Sequence, residues 1–137
     1  MTPTLLGRWQ TRLLLFITVG VLLTVPFSIV LPGPSFQILF WILGWGFVWD
    51  ILYTFIQKFR WDRDWPAAYQ VAAGIWEAFF LLTFIYTFGL FGSAFGNFSI
   101  SSFIFHYATV WLGIFLASQV LMRLLFPRWR FRGGRLL

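Results

Sequence analysis

Hydrophobic residues dominate two long stretches of the chain, 13–57 and 64–122, and neither stretch contains Lys or Arg. Because about 20 mostly apolar residues cross a bilayer as a helix, each stretch is long enough for two spans. Turn-forming prolines at 32–35 and an uncharged, glycine-rich segment at 92–99 divide the two stretches. Pro26 predicts a kink in the first span, since proline removes a backbone hydrogen bond. The pattern predicts four helices and a basic tail, at about 11–31, 36–57, 66–91, 101–126 and 127–137.

The ten Lys and Arg residues lie in three clusters that flank the apolar stretches. These clusters are Arg8 and Arg12, then Lys58, Arg60 and Arg63, then Arg123, Arg128, Arg130, Arg132 and Arg135. Membrane proteins keep such residues on the cytoplasmic side of short loops, where they fix orientation and meet anionic headgroups. The sequence therefore predicts an all-α integral membrane bundle of four antiparallel helices, with both termini and the middle loop in the cytoplasm.

The composition agrees with one membrane domain spanning 1–137 and no separate soluble domain. Hydrophobic residues make up 60% of the chain and charged residues 10%, against about 25% charged in a typical soluble domain. The net charge of +6 does not indicate nucleic-acid binding, because the bases lie beside apolar spans rather than on a soluble module. The absence of cysteine excludes disulfides and Cys-ligated metal. The apolar run 13–31 is longer than a usual signal-peptide core and lacks a small-x-small cleavage site, which favours a retained first span.

Asp50 and Glu77 are the only acids outside the middle loop, residues 58–65. At about 1.5 Å per residue, Asp50 lies about 12 Å from Lys58 and Glu77 about 16 Å from Pro66. The two acids are at similar depths on consecutive helices, so they are expected to approach each other. An ionised acid in mid-membrane costs about 3 kcal/mol on insertion scales, so both side chains should point inward.

Two interpretations of this intramembrane acid pair stay open. In the first, the acids share a proton or bind a cation, as coupled carboxylates do. In the second, they hold the helices together by hydrogen-bonding Tyr, Trp, Thr or Gln, or by pairing with a base that reaches in from the cytoplasmic face. The candidate bases for this pairing are Arg12, Lys58 and Arg123.

His106 is the only histidine in the chain, and it falls near the non-cytoplasmic end of the fourth predicted helix. A single imidazole cannot supply a bis-histidine haem or a typical zinc site. It is a candidate axial ligand for a pigment or haem, and the alternative is a hydrogen bond to a neighbouring helix. No metal site and no resident cofactor are otherwise predicted.

The chain has 19 Phe and 9 Trp, and their positions fall into two groups. Four tryptophans at the predicted boundaries indicate an aromatic belt, namely Trp9, Trp61, Trp65 and Trp129. Trp41, Trp45 and Trp49 form a stripe on the second helix. This stripe is either a platform for a pigment or quinone, or ordinary packing surface. The small-xxx-small pairs Ala68/Ala72 and Gly74/Ala78 predict close packing by the third helix.

The segments 7–12 and 58–66 resemble those of small, functionally uncharacterised cyanobacterial four-helix membrane proteins. The resemblance carries no activity and no functional residues. It implies a thylakoid or plasma membrane, and partners in photosynthetic or respiratory complexes.

The sequence contains no nucleophile triad, metal cluster or phosphate-binding loop, so we expect no enzymatic activity. It predicts a multi-pass accessory, assembly or scaffold subunit that packs against other membrane proteins or self-associates. The alternative is a small proton- or cation-coupled channel or carrier that uses Asp50 and Glu77.

Overall fold

A computed structural model describes residues 2–31, 33–89 and 99–137, and all regular structure in these ranges is helical. The four long helices are α1 (Leu5–Val30), α2 (Ser35–Gln57), α3 (Ala67–Phe88) and α4 (Ile100–Leu125). A short 3₁₀ turn, Trp129–Arg132, follows α4. Each long helix has the length and hydropathy needed to cross a membrane, as expected for an integral, multi-pass membrane protein.

The first helix begins at Leu5 rather than near residue 11, because Thr4 caps it. The Thr4 side-chain oxygen accepts a hydrogen bond from the Gly7 N–H at 3.2 Å. The third helix ends at Phe88 rather than 91, because Gly89 adopts a left-handed conformation with φ +52°. The earlier start of α1 brings Arg8 into the helix, whereas Arg12 was already within the predicted span. The predicted turn at 92–99 lies, apart from Ser99, outside the described residues.

Two of the helices contain a short π-helical turn, at Phe16–Gly20 in α1 and at Ala117–Leu121 in α4. The two turns lie at the same interface, because Val19 and Ala117 pack in one hydrophobic cluster with Leu15. Pro26 lies in the regular α-helical segment Val21–Val30. The departure of α1 from α geometry therefore occurs upstream of Pro26.

The main hydrophobic core lies between the four helices and contains no charged residue. All four helices contribute buried side chains: Phe16, Ile38, Leu39, Ile42, Leu81, Ile85, Phe103, Tyr107 and Val110. A second, smaller core joins α1 to the end of α4 and to Trp129.

The start of α1, the end of α2, the middle loop and the C-terminal tail meet at one end of the bundle, which we call the basic end. Arg8 of α1 donates from Nη2 to the Gln57 side-chain oxygen of α2 at 2.9 Å, and its guanidinium lies 4.4 Å from the ring centroid of Trp65. The Thr4 N–H donates to the Gly133 carbonyl at 2.8 Å. The bases of all three sequence clusters are thus gathered at this end.

The C-terminal tail packs on α1 through Trp129. This indole is 6% exposed, although it was expected in an aromatic belt. Its N–H donates to the Thr11 hydroxyl at 2.8 Å, and the Leu136 N–H donates to the Gln10 side-chain oxygen at 3.0 Å. Phe131 remains 87% exposed. The tail is therefore a packed part of the bundle at Trp129 and exposed at Phe131.

We expect Trp129→Phe to loosen the tail, because it removes the hydrogen bond to Thr11 and part of a buried ring. The expected loss is about 1–2 kcal/mol in the free energy of unfolding, with faster tryptic cleavage within 128–135. Trp61→Phe is the matched control, since Trp61 is 97% exposed, and it should change stability by less than about 0.5 kcal/mol. Thermal unfolding in detergent and timed proteolysis measure both effects. Equal behaviour of the two variants would show that the tail does not depend on Trp129.

Candidate functional site

The Arg12 guanidinium lies between the two intramembrane acids and binds both. Its Nε donates to Asp50 Oδ2 at 2.8 Å and its Nη2 to Asp50 Oδ1 at 3.0 Å, a bidentate arrangement. Its Nη1 and Nη2 donate to the Glu77 carboxylate at 3.3 and 3.4 Å. One base of α1 therefore joins α2 to α3, and we call Arg12, Asp50 and Glu77 the charge cluster.

The side chains of the charge cluster are largely buried. Asp50 is 3% exposed and Glu77 9% exposed, and the Arg12 side chain is 16% exposed. Removing one partner from such a buried group leaves a charge without compensation, which costs far more than the net value of the pair. The cluster contains one base and two acids, so its formal charge is −1, and Glu77 has the longer contacts.

Glycine at position 46 makes room for the Arg12 guanidinium. Gly46 lies one turn before Asp50 on α2, and a Cβ atom there would overlap the guanidinium. The small and polar stripe of α2 that the sequence contains, Gly46, Asp50, Tyr53 and Gln57, is buried along its whole length. This stripe is the surface of α2 that receives the basic residues of α1.

Arg8 continues the same contact one turn closer to the basic end. Besides its bond from Arg8, the Gln57 amide donates to the Arg63 carbonyl at 2.6 Å, so Arg8 and Gln57 together hold the middle loop. Arg8 and Arg12 were expected at the lipid headgroups with the other bases, but both point into the bundle. Seven of the ten bases have exposed side chains: Lys58, Arg63, Arg123, Arg128, Arg130, Arg132 and Arg135.

The remaining base, Arg60, belongs to a small polar group on the middle loop. It donates to Asp62 at 3.0 Å and to the Tyr69 hydroxyl at 2.7 Å. The hydrogen bond from Arg60 lowers the pKa of the Asp62 carboxyl below its usual range. This group is solvent-exposed, so its contribution to stability is small.

Neutral polar contacts join α3 to α4. The Tyr107 hydroxyl donates to the Gly74 carbonyl at 2.7 Å, and a Cβ atom on Gly74 would overlap the Trp111 indole. Gln119 of α4 donates to the Gln70 side-chain oxygen at 3.2 Å, and within α4 the charged Arg123 donates to Gln119 at 2.6 Å. Of the two predicted small-xxx-small pairs on α3, Gly74 with Ala78 faces the bundle, whereas Ala68 and Ala72 are exposed.

A cavity of about 310 Å³ extends from the basic end to the charge cluster. Near the mouth it is lined by exposed residues that include Arg123 and Arg130, and deeper by Gln70, Asp50 and Glu77. Its apolar wall includes Phe16, Ile42 and Val110, which belong to the main core. The cavity therefore gives the acids access to the basic end and ends against apolar packing.

His106 lies between α1 and α4, remote from the charge cluster in sequence and packed among apolar residues. The ring is 2% exposed, its Nε2 lies 3.1 Å from the Thr24 hydroxyl, and the ring of Phe27 lies 5.0 Å away. Its Nδ1 has no hydrogen bond in the part of the chain that the structure describes. The ring thus contributes to an α1–α4 contact. No group of three His, Cys, Asp or Glu residues comes together in 2–31, 33–89 and 99–137.

The tryptophan stripe of α2 packs against a row of aromatic rings on α3. Trp45 lies 4.9 Å from Phe84 and 5.0 Å from Phe80, measured between ring centroids. Trp49 lies 5.1 Å from Phe80 and 5.9 Å from Trp76. All four are edge-to-face contacts, a favourable geometry for aromatic pairs. The stripe therefore forms the α2–α3 seam.

Sequence reasoning named Arg12 as one of three candidate counter-charges but did not find its shared position between the acids. The available signal was Thr4, a capping residue that extends α1 toward the N-terminus and puts Arg8 and Arg12 one turn apart on one helical face. The tail contact through Trp129 has no comparable signal, because nothing local to residues 127–137 distinguishes a docked indole from one at the membrane interface.

Comparison of the chain with protein-family models, with curated proteins and with solved structures finds no match. The residues and their geometry therefore carry the functional argument.

We expect Arg12→Gln to lower the free energy of unfolding by about 3–5 kcal/mol, because it leaves two buried carboxylates without a base. The triple variant Arg12→Gln/Asp50→Asn/Glu77→Gln removes all three charges and should regain most of this loss. Thermal unfolding of the purified variants in detergent measures both values. A single variant as stable as the wild type would mean that the charge cluster does not hold the bundle.

Proposed function

We propose that the protein is a non-enzymatic integral membrane subunit that packs against other membrane proteins or against further copies of itself. The observation that carries this proposal is the position of Arg12. Arg12 forms ion pairs with both acids of the membrane spans. This arrangement suits a structural function better than ion exchange. The surface available for function is then the lateral surface and the basic end.

The lateral surface of α3 is rich in exposed aromatic rings. Trp76 is 51% exposed and Phe79 is 64% exposed, beside the aromatic seam with α2. Aromatic residues are enriched where protein surfaces meet, since they bury a large area for few rotatable bonds. We infer that this face of α3 is the packing surface.

The proposal includes an antiparallel arrangement of the four helices, with both termini and the middle loop in the cytoplasm. Two features support it. From Trp41 to Trp49 along α2, the ring partner on α3 moves back along the chain, from Phe84 to Trp76. This order is expected for antiparallel neighbours. The gathering of bases at one end agrees with the positive-inside rule.

Gentle extraction followed by native mass spectrometry tests the subunit proposal. We expect particles heavier than the 16.1 kDa chain, formed with itself or with other membrane proteins. Phe79→Ala should shift them toward monomer, because it removes an exposed ring from the proposed packing surface. Phe105→Ala on α4 is the matched control, since this ring is also 64% exposed, and it should leave the assembly unchanged. A strictly monomeric wild type would contradict the proposal.

A proton- or cation-coupled carrier is the second candidate, and the cavity favours it. The cavity extends from the basic end to Asp50 and Glu77. The charge cluster also has one carboxylate more than it has bases. Transport would require Arg12 to leave the acids and the apolar core beyond them to open.

Liposomes with an enclosed pH-sensitive dye separate the two candidates. A carrier should dissipate an imposed pH gradient, and the triple variant Arg12→Gln/Asp50→Asn/Glu77→Gln should not, because it has no titratable group in the cluster. Asp62→Asn is the control, since it removes an acid from the exposed loop. The subunit proposal predicts equal rates for all three proteins and for empty liposomes. If the gradient is lost only with wild type and Asp62→Asn, the subunit proposal is wrong and the protein is a carrier.

A further inference from the structure

The mouth of the cavity carries two arginines, Arg123 and Arg130, that form no ion pair in the part of the chain that the structure describes. Arg123 is hydrogen-bonded only to the neutral amide of Gln119, and Arg130 has no hydrogen bond or ion pair among the described residues. Arg8 and Arg12, which also line the cavity, are held by Gln57 and by the charge cluster. The acid at the mouth, Asp64, has an interaction of its own. Among the described residues of the lining, Arg123 and Arg130 are therefore the cations available to a ligand.

Two buried donors in the cavity wall, on Tyr53 and Arg8, differ in whether they have a partner among the described residues. Tyr53 is 7% exposed and lines the cavity. Its hydroxyl interacts with the Glu77 carboxylate of the charge cluster. Arg8 Nε, by contrast, is buried and has no hydrogen bond among the described residues. Buried polar groups in proteins are nearly always hydrogen-bonded, and an exception calls for an explanation such as a ligand.

An apolar groove of about 380 Å³ lies beside the cavity, on the outer surface between α2 and α3. It is lined by Trp49, Leu52, Ile56, Ala72 and Trp76 among others. Tyr53, Trp65 and Ala73 line both spaces. A groove that would accept a hydrocarbon chain therefore adjoins the polar, cationic cavity at these three residues.

We propose that these two spaces form one binding site for an anionic phospholipid. Its headgroup occupies the cavity mouth against Arg123 and Arg130, and one acyl chain lies in the α2–α3 groove. Arginine binds phosphate oxygens through two parallel N–H groups, and basic pockets between membrane helices recognise anionic headgroups. The cations lie where the spans end, which is the depth at which headgroups lie. The site goes beyond the proposed subunit function and does not depend on it.

Native mass spectrometry of the full chain in detergent tests the headgroup. Phosphatidylglycerol and phosphatidylcholine with identical acyl chains are added in equal amounts, and we expect one phosphatidylglycerol per chain in preference to phosphatidylcholine. Arg123→Gln/Arg130→Gln should weaken binding about 25-fold, since each arginine near an anionic lipid contributes about fivefold. Arg132→Gln/Arg135→Gln removes the same charge outside the cavity lining and should change binding less than about twofold. Equal binding of the two lipids, or equal loss in the two charge variants, would overturn the proposal.

A second pair of variants tests the acyl chain. Ala72→Leu fills the groove, whereas Ala68→Leu adds the same atoms one turn away on α3, outside both linings. Both alanines are exposed, so both variants should fold, and thermal unfolding verifies this. We expect only Ala72→Leu to weaken phosphatidylglycerol binding, and glycerol phosphate without acyl chains to bind far more weakly. Glycerol phosphate binding as tight as that of the lipid would assign the cavity to a free phosphate instead, and equal effects of the two leucines would exclude the groove.

Discussion

The bundle depends on one guanidinium that holds two carboxylates inside the membrane spans. Each of these three charges would be costly in an apolar environment alone, at about 3 kcal/mol on insertion scales, and together they supply each other's counter-charge. Because Arg12, Asp50 and Glu77 come from α1, α2 and α3, the ion pairs set the positions of three helices along one another. Sliding any of these helices by one turn would separate the charges. This contact requires a glycine at position 46, because only a glycine there leaves space for the guanidinium.

The fourth helix is attached in a different way. Its interhelical polar contacts are neutral, as in Tyr107 with Gly74 and His106 with Thr24, and Trp111 packs closely over Gly74. Such hydrogen bonds in membranes contribute on average about 0.6 kcal/mol each. The tail adds the Trp129–Thr11 contact between the end of α4 and the start of α1. The position of α4 therefore results from several weak contacts, and the tail is part of its attachment.

The helix pattern followed from the sequence because its cause is simple: apolar stretches without bases are long enough for two spans each, and prolines and glycines mark the turns. The candidate acids were also evident, since a carboxylate in a span needs a partner. What the sequence did not show is which base supplies that partner. Three bases had similar reach, and the choice depends on Gly46, whose missing side chain is significant only once α1 and α2 are packed. The same limit applies to Trp129, because docking and membrane anchoring require the same residue type, and to the cavity, which is formed by side chains from all four helices.

The charge distribution in the cavity favours binding over transport. Positive charge lies at the mouth, on Arg123 and Arg130, while the negative charge lies deeper and is covered by Arg12. An anion is therefore attracted to the mouth and repelled beyond it, whereas a cation must pass the arginines before it reaches the acids. A cation that reached them would still have to displace a bidentate base whose space is shaped by Gly46. Beyond the acids, Phe16, Ile42 and Val110 close the path with packed apolar side chains. The proposed lipid site, which holds an anionic headgroup at the mouth, needs none of these barriers to move.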